Sequence, residues 1–148
     1  IQMLQTPDSQ TVKQPTAQNS PLPLNGVKVL LAEDSPDNQV LVTLFLKLAG
    51  ASVDIASNGR EATEKAQEKH YDVVLMDLQM PVMDGFEATA LLRKGGYRGK
   101  IVALTAHALT EDRERTLQSG FDDHINKPVK RDVLIERVYA GTKQLDLF

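Results

Sequence analysis

From residue 27 onward the chain alternates short apolar runs with longer stretches of mixed polarity. Val27–Ala32 is apolar apart from one lysine, and Val73–Met76 and Ile101–Leu104 are apolar throughout. Runs this short and uniform read as strands covered on both faces. Ser52–Ala56 alternates, as an edge strand does, and a short fifth strand is read around His124–Asn126. Between them lie helical patterns. Ser35-Pro36 places a capping hydroxyl ahead of a proline at the first helical position. Val40, Leu41, Leu44, Phe45 and Leu48 then recur at three- and four-residue spacing, which predicts one apolar side, and Gly50 ends the helix. Further helices are predicted from Arg60 to about Lys69, after Asp84-Gly85, from Thr110 to Gly120, and from Arg131 to about Tyr139. Strand and helix alternate five times. Parallel strands need crossovers, and right-handed crossovers put helices on both faces. The pattern therefore predicts an α/β domain with a doubly wound, five-stranded parallel sheet.

Residues 1–25 differ. They hold Pro7, Pro15, Pro21 and Pro23 among five glutamines and several Ser, Thr and Asn, with little apolar surface to offset the entropy of ordering. They read as a disordered linker tethering the domain to a preceding one, with the domain over 26–141 and a tail over 142–148. Asp8 and Lys13 cancel within the linker, so the net charge of −3 belongs to the remainder. At 148 residues, 41% hydrophobic and 25% charged, the chain is sized for a single globular domain. Without cysteine it has no disulfide framework, thiolate zinc site or cysteine nucleophile. Mild acidity argues against a dedicated nucleic-acid binder. No apolar run approaches the roughly 18–20 residues of a membrane span, and Ile1-Gln2-Met3-Leu4 lacks the basic flank of a signal peptide. A cytoplasmic location without membrane contact of its own is the expectation.

Ligands of open α/β sheets bind at the carboxyl ends of the strands. Glu33 and Asp34 follow the first strand here, Asp77 the third, Thr105 the fourth and Lys127 the fifth. Any one of these is an ordinary loop residue; five together on one rim are not. Clustered carboxylates repel unless a cation intervenes, and Mg²⁺ suits a site of few carboxylates, waters and a phosphate. Lys127 supplies a point charge for a phosphate oxygen and Thr105 a hydroxyl donor. Phosphoryl transfer needs such positioning and neutralisation, and an aspartate can itself be the nucleophile, forming an acyl phosphate. Asp77, on a central strand between the acidic pair and Thr105 and Lys127, is the best-placed acceptor.

Four segments carry a resemblance. Leu31–Gln39 (LAEDSPDNQ), Met76–Gly85 (MDLQMPVMDG), Ala103–Ala106 (ALTA) and Asn126–Pro128 (NKP) resemble, in order, the motifs of response-regulator receiver domains. The similarity covers about Val27 to Tyr139. It implies a flavodoxin-like strand order 2-1-3-4-5, which the patterning alone does not supply. It implies that Asp77 takes phosphate from a phosphohistidine. Asp34, Asp77 and the backbone carbonyl of Gln79 would ligate Mg²⁺, for which Mn²⁺ would substitute, with Glu33 acting largely through water. Lys127, preceding a cis bond to Pro128, would pair with Asp77 and then with the phosphoryl group. Thr105 would move toward that group and a switch residue would turn inward. That switch position holds His124, where Tyr or Phe is commoner, so its protonation would enter the switch. Gln79 and His107 occupy variable positions at the mouth and would tune hydrolysis.

The phrasing Asp37-Asn38-Gln39, Gln79-Met80-Pro81 and Phe86-Glu87-Ala88-Thr89 most resembles receivers of hybrid sensor histidine kinases. The implied partners are a kinase phosphohistidine domain or a histidine phosphotransfer protein, with the parent kinase anchored in the cytoplasmic membrane and the excised domain monomeric. A free-standing single-domain regulator is the alternative within the family. A haloacid-dehalogenase-like phosphatase would need a second Asp two residues after the nucleophile, where Gln79 stands. A degenerate receiver would usually have lost one of the acidic pair, the acceptor or the lysine, all of which are present. Gly95–Lys100 lacks P-loop spacing, and His70 reads as a surface residue. Arg113, Arg115, Arg131 and Arg137 read either as a partner face on the last two helices or as a solvated one.

Overall fold

Every predicted strand forms. In a computed structural model describing residues 22–106 and 110–146, strands β1 (Lys28–Ala32), β2 (Ser52–Ala56), β3 (Val73–Asp77), β4 (Lys100–Thr105) and β5 (Asp123–Asn126) make one parallel sheet. The order is β2-β1-β3-β4-β5. The connecting helices are α1 (Pro36–Leu48), α2 (Gly59–Glu68), α3 (Gly85–Lys94), α4 (Thr110–Gln118) and α5 (Arg131–Asp146). Among the described residues no helix is long and apolar enough to cross a membrane.

Strand alternation sorts the core into two layers. Leu31, Leu75 and Leu104 pack with Val42 and Leu46 of α1 and Leu134 of α5. Leu30, Met76 and Ile101 point the other way, onto Ala62 of α2 and Ala88 and Leu92 of α3. All five residues of β3 are buried, which is why that run shows no polar alternation. From β1 the chain crosses outward to β2 and then back past β1 to β3, and this reversal opens a crevice between the carboxyl ends of β1 and β3. At the outer edge Asp54 of β2 accepts from the Tyr71 hydroxyl at 2.6 Å and from Lys69 at 2.9 Å. Those two bonds hold its carboxyl below the usual range, while burial and the Asp54 contact push the Tyr71 phenol up.

One helix face and two boundaries differ from the sequence reading. The apolar side expected on α1 faces out: Val40 is 69% exposed, Leu48 64%, and Leu41 and Leu44 are exposed too. The side against the sheet is Val42, Leu46 and Ala49, with Phe45 partly buried beside them. The helix is apolar nearly all round, so periodicity selected its larger stripe and not the one that meets the sheet. Second, Leu24, placed in the linker, is fully buried, and its N–H donates to the Ala49 carbonyl at 2.8 Å. The ordered unit thus begins before residue 26, because one leucine there fills the end of the core; residues 1–21 lie outside the described residues. Third, α5 continues to Asp146, past Tyr139 and into the stretch read as tail.

Candidate functional site

Each strand of the inner rim delivers its residue by a local device. Glu33 and Asp34 leave β1 where the Glu33 N–H still bonds the Ala56 carbonyl, and Ser35 then caps α1, accepting from the Asn38 N–H, with Pro36 in the first turn. Asp77 is the last residue of β3, buried, followed by a loop pinned at both sides. The Gly85 N–H bonds the Leu78 carbonyl and the Gly59 N–H bonds the Met83 carbonyl. Asp84 closes the loop by forming a reciprocal capping box with Glu87 at the start of α3. Within this loop Val82 adopts φ +71°, a left-handed conformation that strains a β-branched residue. Thr105 ends β4 buried, opposite Asn126 in register, and the Lys127 N–H donates to its carbonyl at 2.7 Å. The Lys127–Pro128 bond is cis.

Glu33, Asp34 and Asp77 each bring one carboxylate oxygen within 4.8 Å of the others. Lys127 reaches into the cluster, Nζ lying 2.8 Å from Asp77 Oδ2 and 3.2 Å from Glu33 Oε1. The Gln79 N–H donates to the other Asp77 oxygen at 3.2 Å, an Asx-type turn, and the Ser35 N–H to Glu33 Oε2 at 3.1 Å. The contact of Lys127 with Glu33 is an ion pair without hydrogen-bond alignment, so buried Glu33 Oε1 has no hydrogen-bond donor. Burial raises the Glu33 carboxyl above its ordinary value, helped by the Asp77 charge and opposed by Ser35 and Lys127. Burial alone would depress Lys127; the bond to Asp77 and the two carboxylates outweigh it, and the ammonium is held above its usual range. One ammonium against three carboxylates leaves a deficit of positive charge, and an all-oxygen donor set of this size fits a hard divalent cation. Asp34 (exposed), Asp77 and Glu33 are the residues able to hold it.

The cleft around them measures about 360 Å³. Gln79 lines it from an exposed position at the mouth, as the sequence suggested. His107 lies outside the described residues. His124 is not in this cleft. It sits mostly buried on β5 in the neighbouring cleft with Lys130 and Arg137, whose guanidinium donates to the His124 carbonyl at 2.6 Å. Two lining residues were named from the sequence without being placed at this site: Phe86 at the start of α3, and Arg115 of α4, whose guanidinium carbon lies 3.9 Å from the centre of the Phe86 ring. They stand 29 positions apart, and no local spacing advertises such a contact. Of the four arginines read either as a partner face or as a solvated one, Arg115 lies at this cleft and Arg137 is bonded to Asp123 of β5.

The family model described as "Response regulator receiver domain" matches residues 29–139, more than half of the chain. The chain belongs to the response-regulator receiver family. This receiver is 39% identical over 139 residues to "Probable histidine kinase 2" of Oryza sativa subsp. indica. The match covers 82% of this chain and 13% of the rice protein, so the receiver spans a small part of the curated relatives it resembles. Among solved structures it is similar to the receiver domain of sensor histidine kinase PA1611 from Pseudomonas aeruginosa PAO1, which has a magnesium ion coordinated in its active site cleft. That likeness has TM-score 0.74 and 39% identity over 80% of this chain and 98% of that one. It is also similar to a chain of the co-crystal structure of the Saccharomyces cerevisiae histidine phosphotransfer protein Ypd1 with the receiver domain of Ssk1. Here the TM-score is 0.77 and identity 31%, over 82% of this chain and 92% of that one. The receiver is therefore a phosphorelay module of two-component signalling.

Proposed function

We propose that Asp77 is the phosphoacceptor and that the domain belongs to a hybrid histidine kinase, exchanging phosphate with a histidine phosphotransfer protein or with the kinase's own phosphohistidine. The observation that carries this reading is Lys127 Nζ at 2.8 Å from a buried Asp77 carboxylate inside a trio of acidic groups. A carboxylate oxygen of Asp77 attacks phosphorus while the bond from phosphorus to the imidazole nitrogen breaks, and the imidazole keeps that electron pair and takes up a proton. Lys127 neutralises the oxygen that Asp77 does not use and is placed to follow the phosphoryl group. Thr105, on the adjoining strand end, is positioned to donate to a phosphoryl oxygen. Asp34 and Asp77, with Glu33 behind them and the Gln79 carbonyl beside them, would hold Mg²⁺, or Mn²⁺ in its place, and the ion supplies charge neutralisation for the transferring group.

The exposed row Val40, Leu41, Leu44 and Leu48 begins two residues beyond Asn38, which lines the acceptor cleft. An apolar helix face beside the site suits docking against an amphipathic helix of the phosphohistidine protein. Incubation with Mg²⁺ and a small phosphodonor should give one acid-stable, alkali-labile phosphate per chain, lost on chelation. Continuous release of phosphate would instead indicate a phosphatase, and no labelling a degenerate domain. Leu44→Asp should slow transfer from a phosphorylated histidine phosphotransfer protein by about tenfold or more while leaving small-donor labelling unchanged, since it buries a charge only in the protein complex.

A further inference from the structure

The cleft holds a second cation besides Lys127, and its placement is peculiar. Arg115 is exposed, yet its guanidinium is fixed: it stacks 3.9 Å from the centre of the Phe86 ring, and Phe86 is backed edge-on by buried Phe121, ring centres 6.0 Å apart at 88°. Stacking on an aromatic face holds a guanidinium electrostatically without consuming its N–H donors, which stay available to an anion. The platform comes from α3, whose first turn follows the acceptor loop, while the cation comes from α4, beyond β4. Phe86 and Arg115 both line the cleft with Asp77 and Lys127.

Charge explains what such a residue does. Three carboxylates against Lys127 repel an incoming anionic donor, and a divalent cation only cancels that net charge. A further fixed positive charge at the mouth makes the field attractive to a phosphate dianion, and the phosphorylated site afterwards carries less uncompensated negative charge. We propose that Arg115, held ready on the Phe86 ring, is a positioning residue that draws the anionic phosphoryl group into the cleft. This rests on the reading of Asp77 as acceptor.

The test uses the complete chain and the variants Arg115→Gln, Arg115→Glu and Arg115→Lys. Labelling rates are measured with acetyl phosphate and with the less anionic phosphoramidate across ionic strength, and Mg²⁺ affinity is measured on unphosphorylated protein. At low salt Arg115→Gln should slow acetyl phosphate labelling by about threefold and Arg115→Glu by about tenfold, with Arg115→Lys near wild type. The differences should shrink with phosphoramidate and vanish at high salt. Mg²⁺ should bind about twofold more tightly to Arg115→Gln, because a repelling charge is gone. The proposal is overturned if Arg115→Gln labels at the wild-type rate at low salt. It is also overturned if all three variants are slowed equally at every ionic strength, the mark of a packing role. Failure of the wild-type chain to take phosphate would instead sink the acceptor assignment, and the steering role with it.

Discussion

Asp77→Asn is expected to reduce phosphate incorporation from one group per chain to background while leaving the fold intact. The two donors bond different oxygens of Asp77, Lys127 Nζ one and the Gln79 N–H the other, so the single amide oxygen of the substituted residue keeps one of those bonds and its NH2 group faces the other donor. It cannot form the acyl phosphate, because an amide oxygen is a poor nucleophile and the side chain no longer carries charge. Removing one of three crowded carboxylates relieves repulsion against Glu33, so thermal stability should hold or rise slightly without divalent cation. Mg²⁺ affinity should fall by about tenfold or more, since a charged oxygen is lost from a small donor set. Quantitative labelling, a thermal melt and an Mg²⁺ titration check the three parts together. Labelling that survives the substitution would move the acceptor elsewhere.

Gly85→Ala should be strongly destabilising for a single added methyl group. A Cβ at Gly85 would lie 2.2 Å from the Asp77 carbonyl oxygen and 3.0 Å from the Leu78 Cα, both backbone atoms with no rotamer in which to retreat. Either α3 shifts outward or the end of β3 shifts, and β3 is buried along its whole length. Overpacking of this kind costs about 3 kcal/mol, which for a domain of this size lowers Tm by roughly 10 °C. The consequence reaches function, because the displaced atoms belong to the acceptor itself and to the loop behind it. Labelling should therefore slow even below the melting transition. By contrast Gly96→Ala, where no atom lies within 4 Å of the added carbon, costs only the strain of its positive φ and should leave labelling untouched.

The chemistry of the rim was legible because it sits at strand ends. The apolar runs marked the strands, and whatever follows a parallel strand at its carboxyl end faces the crevice, so Glu33, Asp34, Asp77, Thr105 and Lys127 could be grouped without coordinates. The strand order came from motif resemblance, since periodicity carries no neighbour information. Three things were hidden for physical reasons. Helix α1 offers two apolar stripes, and only the sheet decides which is covered; the uncovered one, Leu41 and Leu44 among it, then becomes a candidate docking face. Leu24 lies with Leu22 in a polar, proline-rich stretch, too little apolar surface to register as an element, yet it plugs the end of the core. The Phe86–Arg115 stack joins two helices through space. His124, read as a switch residue that would turn inward on phosphorylation, lines the adjoining cleft with Lys130 and Arg137.

The anchoring of Leu24 has a mechanical consequence. Leu24 bonds the Ala49 carbonyl and Gly26 the Gly50 carbonyl, so the incoming chain is clamped at the far end of α1, whereas the near end starts beside Asp34. The thirteen residues of α1 separate these points by about 20 Å. Whatever precedes Leu24 therefore joins the domain at the end of α1 away from the acceptor, so a pull on the chain there loads the base of the sheet and not the acidic rim.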